Sequence, residues 1–392
     1  LVNYRGGALA AAHNGNLINA AELRAELEGR GAIFGGSSDT EIVMHLVAQA
    51  ANADFLEGLA TSLYRLKGSY SFVFLRERQM VAVKDPRGIR PLCIGKLDGA
   101  TVVASESCAL EIIGAQLLRQ VKPGEMIVMD EEGVHHEFPF PPVEESFCVF
   151  EYVYFSRPDS VVPGRSVYEV RHGLGERLAQ EQPADADVVI CVPDSSNTAA
   201  AGYARAANLP FEQGLIRSHY IGRTFIEPHQ RIRDFGAKIK YNPVRAVVEG
   251  KRVVVVDDSI VRGTTSRKIV RMLREAGARE IHFRVSCPPW RNPCHFGIDT
   301  PEREDLIGSE HSVPEMCEII ECDSLGFLSE AGLQRAAQES EGWCMACFTG
   351  KYPVYLPRGL NKNVIADDEA VSSATTPPPN HAMIAPEEEP NG

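Results

Sequence analysis

The run Lys251–Lys268, KRVVVVDDSIVRGTTSRK, restricts what this chain can become more than any other stretch. Val253 to Val256 are four β-branched residues in succession, which suits a short strand buried on both faces. Asp257 and Asp258 close that strand. The loop Ser259–Thr265 follows, carrying Ser259, Arg262, Gly263, Thr264 and Thr265, and then Ile269, Met272 and Leu273 are spaced to share one face of a helix. Strand, acid pair, small hydroxyl-rich loop and helix is the order found in parallel α/β sheets, where ligands gather beyond the carboxyl ends of the strands. A loop that opens a helix offers unpaired N–H groups and the positive end of the dipole to a phosphate. Gly263 lets the backbone come close, and the Thr hydroxyls add donors. Asp257 and Asp258 suit ribose hydroxyls and Mg²⁺, a hard cation that favours carboxylate oxygens. The ligand this stretch predicts is a ribose 5-phosphate. The bland reading is a core strand ending in a solvated turn.

A second run has the same logic. Val188–Val192 reads as a buried strand, Pro193-Asp194-Ser195-Ser196-Asn197 as a loop, and Thr198–Ala207 as a helix, although an ordinary N-cap would give a similar pattern. VVVVDDSIVRGTT resembles the phosphoribosyl pyrophosphate (PRPP) fingerprint of type I phosphoribosyltransferases. That resemblance implies a pyrophosphate loop at 193–197, with Ser195 near Mg²⁺ and Asp194, Ser196 and Asn197 lining it. It also implies that Asp257 and Asp258 hold ribose hydroxyls directly or through Mg²⁺. Tyr220–Ile226 resembles the root of the mobile loop that covers PRPP in the same family, which implies roles for Arg223 and Lys240. Residues 217–252 hold nine basic residues against three acidic ones, in a chain whose net charge is −13. A local basic segment in an acidic protein suits a small polyanion better than a nucleic-acid duplex.

The first 140 residues are strand-rich. Predicted elements are a strand Ala8–Ala12, an Asn-Gly turn in His13-Asn14-Gly15-Asn16-Leu17, helices Ala20–Glu28 and Thr40–Ala51, and strands Tyr70–Leu75, Met80–Val83, Val102–Ala104 and Glu125–Met129. HNGNL, SSDTE, KDPRGIRPL and SES follow one another in an order that resembles the glutaminase domain of N-terminal-nucleophile amidotransferases. The resemblance implies an oxyanion hole made by the Asn14 side-chain amide and the Gly15 N–H, donors that stabilise a tetrahedral intermediate. It implies that Asp39 holds the α-amino group of glutamine. The nucleophile of that family is an N-terminal Cys whose own α-amine is the base. Residue 1 here is Leu, and neither Cys93 nor Cys108 has a free α-amine. The expectation is that the Cys-bearing segment lies upstream, and that the glutaminase half is inactive in these 392 residues.

The two halves in this order resemble the amidophosphoribosyltransferase family. The fold expected is a truncated N-terminal-nucleophile glutaminase domain, a layered α/β sandwich, over 1–140, then a type I phosphoribosyltransferase domain with a parallel sheet over 141–330. Pro139, Pro141 and Pro142 mark the linker. A cysteine-bearing segment, 331–356, and a disordered Pro- and Glu-rich tail, 357–392, complete the chain. The reaction implied is glutamine, PRPP and water giving 5-phosphoribosylamine, glutamate and pyrophosphate, the first committed step of purine synthesis. The family is homo-oligomeric, dimer or tetramer, and is feedback-inhibited by purine nucleotides. The other reading is a non-catalytic PRPP-binding regulatory or structural protein of the same fold. No apolar run is long enough to span a bilayer, nothing resembles a signal peptide, and a cytoplasmic protein without a nucleic-acid or membrane partner is expected.

Ten cysteines without a secretory signal point to reduced thiols or a metal site. By spacing, Cys344-Met345-Ala346-Cys347 stands out, and a CxxC can be a redox pair, half a zinc site or half an iron–sulfur site. Spacing does not choose the remaining ligands. The resemblance does, because one branch of the family carries a 4Fe–4S cluster. It implies Cys148, Cys294, Cys344 and Cys347 as ligands, with Asn292 where the family commonly has His and Cys287 where it often has Ser.

Overall fold

The structure is a computed structural model and describes residues 1–50, 54–218, 241–337 and 342–356. Arg223, Lys240 and the tail 357–392 lie outside the described residues. The chain opens with β1 (Val2–Tyr4) and β2 (Gly7–Leu17), followed by the helices α1 (Ala20–Gly29), α2 (Asp39–Gln49) and α3 (Phe55–Tyr64). Strands β3 (Gly68–Leu75) and β4 (Met80–Lys84) come next. A small antiparallel sheet in the order β6-β5-β7 then forms from β5 (Cys93–Leu97), β6 (Ala100–Ala104) and β7 (Gln116–Gln120), with α4 (Ser107–Ile112) between the last two in sequence. Strands β8 (Met126–Asp130) and β9 (Gly133–Glu137) complete a six-stranded antiparallel sheet, β1-β2-β3-β4-β8-β9.

The helices of this first unit are amphipathic in the way their sequences require. Ile42, Val43, Leu46 and Val47 of α2 are buried against Phe72 and Phe74 of β3 in one apolar cluster. Asp54 caps α3 by accepting from Leu56 N at 3.0 Å.

HNGNL is not the turn its Asn-Gly pair suggests. It is the second half of β2, which pairs with β3 without a break from Ala10↔Leu75 to Leu17↔Gly68. The glycine is needed for close approach instead: a Cβ on Gly15 would lie 2.1 Å from the Ser69 carbonyl oxygen, and Gly15 has φ +153°. A long partner strand satisfies the backbone of both residues, and that outweighs the local turn preference.

The second unit is a parallel sheet with helices against it. Its elements are β10 (Phe147–Cys148), α5 (Val167–Glu181), β11 (Val188–Cys191), α6 (Asn197–Ala207), β12 (Leu215–Arg217), β13 (Tyr241–Pro243), β14 (Arg252–Asp257), β15 (Glu280–Val285), β16 (Ser324–Phe327) and β17 (Trp343–Cys344). The sheet order is β11-β14-β15-β16, all parallel. Val253 to Val256 lie in the middle of it with no exposed surface, as four valines in a row predict. Helix Thr264–Glu275 leads from β14 to β15, and helix Val313–Ile320 precedes β16. Helix Glu330–Ala337 packs against α5.

Three connections tie the chain across long sequence distances. β10 pairs with β17 in parallel, Phe147 opposite Trp343 and Cys148 opposite Cys344. The loop 295–297 sits on the glutaminase-like unit: Asn16 Nδ2 donates to the His295 carbonyl at 3.0 Å, and Ser69 Oγ to that of Phe296 at 2.9 Å. On the other side, Ser160 Oγ donates to Glu106 at 2.7 Å and Val161 N to Ser107 Oγ at 2.8 Å.

Candidate functional site

Parallel pairing of β11 with β14 brings two predicted loops together at one end of the sheet. Cys191 lies opposite Val256, so each strand runs straight into its loop at the same level. Ser195 Oγ donates to Asp258 Oδ2 at 2.5 Å, and Ser196 Oγ to Asp257 Oδ1 at 3.2 Å. Ser259 Oγ donates to Asp258 Oδ1 at 2.5 Å. Both carboxylates are buried. Burial pushes the Asp258 pKa up, opposed by the hydroxyls of Ser195 and Ser259 and by the Arg171 charge, and the net direction is upward. Arg171, on α5, is buried and donates to the carbonyls of Tyr152 and Ser156, both at 2.7 Å. It is a cation near the acid pair that sequence patterning did not single out, because its partners are backbone oxygens of a distant segment.

The rest of the predicted loop runs into the start of the following helix. Gly263 has φ +75°, which favours glycine, and a Cβ there would meet Ile307 Cδ1 at 2.8 Å. Thr264 and Thr265 start the following helix and are exposed. Arg262 faces Asp305 at 3.1 Å. Asp194 is exposed, is joined to Pro193 by a cis peptide bond, and accepts from Arg217 Nη1 at 2.9 Å. Asn197 accepts from the Cys191 thiol at 2.9 Å.

A second constellation lies in the first unit. Asn14 and Gly15 are adjacent in β2, and Asp39 starts α2 beside them. Asp39 accepts from Leu17 N at 3.1 Å and meets His13 Nδ1 at 3.2 Å. Burial pushes the Asp39 pKa up, but His13 and the N–H groups of Leu17 and Thr40 outweigh it, and the carboxyl is held below its ordinary range. His13 stacks on Phe72 with ring centroids 4.2 Å apart. Arg90 Nε donates to Asn14 Oδ1 at 3.1 Å, and the same guanidinium pairs with Glu151 at 3.0 Å. His13, Arg90 and Glu151 received no role in the sequence reading. Arg90 lies in KDPRGIRPL, and only the tertiary structure aims it at Asn14.

The third group is the four cysteines. Cys148 and Cys344 are neighbours across the β10–β17 pair. Burial raises the Cys347 thiol well above its ordinary range, and Cys148, Cys294, Cys344 and Cys287 add to that. Burial likewise pushes Cys344 up to about 12, with Cys294 adding to it. The four thiols are thus buried neighbours drawn from three separate segments. Among the described residues, no three His, Cys, Asp or Glu side chains converge on a point that could hold a single metal ion.

Fold and sites together define a glutamine amidotransferase domain joined to a phosphoribosyltransferase domain. A glutamine amidotransferase domain model matches residues 1–111 and a phosphoribosyl transferase domain model residues 165–302. Amidophosphoribosyltransferase 2, chloroplastic, of Arabidopsis thaliana is 55% identical over 356 residues, 90% of this chain and 64% of that protein. Amidophosphoribosyltransferase of Bacillus subtilis is 51% identical over 355 residues, 89% of this chain and 75% of that protein. The solved structure of glutamine PRPP amidotransferase from B. subtilis, complexed with ADP and GMP, matches with a TM-score of 0.86 and 50% identity over 92% of this chain and 80% of that one. The chain belongs to the amidophosphoribosyltransferase family. It spans under two thirds of the length of the Arabidopsis relative.

Proposed function

We propose that this chain takes part in glutamine-dependent amidophosphoribosyl transfer, in which ammonia displaces pyrophosphate from C1 of PRPP to give 5-phosphoribosylamine, the first committed step of purine synthesis. The observation that carries the reading is the meeting of Ser195 and Ser196 with Asp257 and Asp258 where two parallel strands end. Asp257 and Asp258 take the ribose hydroxyls. The N–H groups and hydroxyls of Ser259, Gly263, Thr264 and Thr265 take the 5-phosphate, and Arg262 faces it. Asp194, Ser195 and Ser196 line the pyrophosphate side, and Arg223 and Lys240 add cations there. The ammonia lone pair forms the C1–N bond as the C1–O bond to pyrophosphate breaks. The oxygen-only donors Ser195, Asp257 and Asp258 suit Mg²⁺, which they would hold and which would supply positive charge toward the leaving pyrophosphate.

In the first unit, Asn14 Nδ2 and Gly15 N–H are the oxyanion donors and Asp39 holds the α-amino group of glutamine. The cysteines Cys148, Cys294, Cys344 and Cys347 suit a 4Fe–4S cluster. Four buried neighbouring thiols drawn from three segments support this reading. The cluster's role is structural, joining the C-terminal segment to the start of the second unit.

The relative solved with ADP and GMP supports purine nucleotides as feedback ligands, and a homo-oligomer, dimer or tetramer, is the assembly we propose. No helix among the described residues is long and apolar enough to cross a membrane. Some relatives are chloroplastic by name, and we propose the cytoplasm for this protein.

The test is ammonia-dependent synthesis. Leu1–Gly392 supplied with PRPP, Mg²⁺ and ammonium is expected to release pyrophosphate and form 5-phosphoribosylamine. PRPP binding without turnover at any ammonium concentration would support the other reading, a non-catalytic PRPP-binding protein.

A further inference from the structure

Cys317 and Cys322 lie outside every site described above. Their sulfurs are 3.4 Å apart, and both residues are half-buried. The backbone holds them together. Helix Val313–Ile320 ends with Glu321 in the left-handed region, φ +66°. Cys322 N donates to the Cys317 carbonyl at 3.3 Å, and Glu321 N to that of Glu318 at 3.1 Å. These are the paired bonds of a Schellman cap, whose sixth and first residues usually make an apolar contact. Here that contact is two thiols.

The turn between the sulfurs grips the helix that opens at the PRPP loop. Glu321 accepts from Arg267 at 2.6 and 2.9 Å and from Arg271 at 2.6 and 2.7 Å, both on helix Thr264–Glu275. Asp323 accepts from Arg274 and, at 2.6 Å, from Ile281 N at the edge of β15. Ile320 Cγ2 lies 3.5 Å from where a Cβ of Gly263 would stand. One short turn therefore grips a single face of that helix along its length, at i, i+4 and i+7, and touches the residue before its first turn.

We propose that Cys317 and Cys322 are a reversible disulfide site, closed and opened by exchange with a dithiol–disulfide couple, and that closure stiffens the turn that holds the PRPP-loop helix. The sulfurs need to approach from contact to a bond of about 2.05 Å, and the cap already holds both backbones. In the exchange, the Cys317 thiolate attacks one sulfur of the oxidant disulfide and releases one thiol. Cys322 then gives up its proton, attacks the Cys317 sulfur and releases the second thiol. Two protein thiols and one disulfide become one protein disulfide and two small thiols. Burial and the adjacent Cys317 hold the Cys322 thiol above its ordinary range. The effect on PRPP rests on the proposed function, whereas the disulfide does not.

Leu1–Gly392 is equilibrated with oxidised and reduced dithiothreitol in varied ratio, alkylated, digested with trypsin and weighed. Both cysteines lie on one peptide, because no Lys or Arg falls between Arg303 and Arg335. The expected result is loss of alkylation at both thiols together, with the peptide lighter by two hydrogens, reversed by reduction and absent in Cys317→Ser. Full alkylation of both thiols at every ratio overturns the site. PRPP affinity is then measured in both states. A shift in the oxidised protein, absent in Cys317→Ser, supports the coupling to the loop, and equal affinities overturn it. Absence of PRPP binding in both states counts against the proposed function and leaves the disulfide to be judged on alkylation alone.

Discussion

Arg90 holds the side-chain oxygen of Asn14 at 3.1 Å through Nε. A guanidinium has donors only, so the Asn14 atom that faces it is the oxygen, and the amide –NH₂ is turned the other way. That is the orientation an oxyanion donor needs. Arg90 is itself fixed by Glu151 of the second unit and lies over the Phe155 ring with 5.0 Å to the centroid. A residue that begins the phosphoribosyltransferase half thus stands behind the amide of the glutaminase half.

Arg90→Met leaves Glu151 buried beside Ser156 without its cation. Removing one partner of a buried pair costs about 3–5 kcal/mol, and uptake of a proton by Glu151, whose pKa burial already raises, brings the cost toward the lower figure. Denaturant unfolding measures it. A stability within about 0.5 kcal/mol of the parent, the range of an ordinary surface change, would mean that the pair does not anchor this region.

Asp257→Asn and Asp258→Asn are each expected to weaken PRPP binding in Mg²⁺ by about 10- to 100-fold, the size of losing one charged hydrogen bond. Titration calorimetry reads this directly. Because the pKa of Asp258 is raised, binding by the parent protein should begin to fail on acidification above the usual carboxylate range. Wild-type affinity in both variants would remove the acid pair from the site.

Asp85 gives a pH signature of its own. Burial pushes its pKa up to about 6, against the opposing charge of Lys84 and the N–H groups of Tyr70, Arg87 and Ile89. A raised folded-state pKa means that the folded protein holds the proton more tightly than the unfolded chain. The resulting stabilisation is complete below the unfolded value of 3.8 and is lost as pH rises through about 6. Relative to Asp85→Asn, the parent should therefore lose a few kcal/mol between those pH values, followed by unfolding at fixed salt. A flat difference would mean that Asp85 titrates normally.

Metal content tests the cysteine group. Protein purified without oxygen is expected to be brown with about four irons per chain. Cys344→Ser should lose colour and stability, and Cys287→Ser neither. Colourless protein with one zinc per chain would decide for a zinc site.

How much of this was legible in the sequence depends on distance along the chain. The strand Val253–Val256, the acid pair and the helix after Gly263 are local, and periodicity and residue type sufficed. The Asn-Gly pair was misread as a turn because the partner that makes it a strand, Ser69–Ser71, lies more than fifty residues away. Arg90 with Asn14, and Glu151 with Arg90, are tertiary pairings that no local pattern encodes. The helix Val313–Ile320, with its capping box Ser312 and Glu315, carries a readable start signal that the sequence reading passed over.

The short pair β10–β17 has a consequence for synthesis. Cys148 emerges from the ribosome early, yet its partner Cys344 follows only after nearly the whole second unit has been made. During translation the parallel sheet can assemble, but the clasp that joins the unit's first strand to its last must stay open. Contacts so far apart in sequence are slow to form. Until then Cys148, buried once the chain has folded, stays open to solvent in the growing chain.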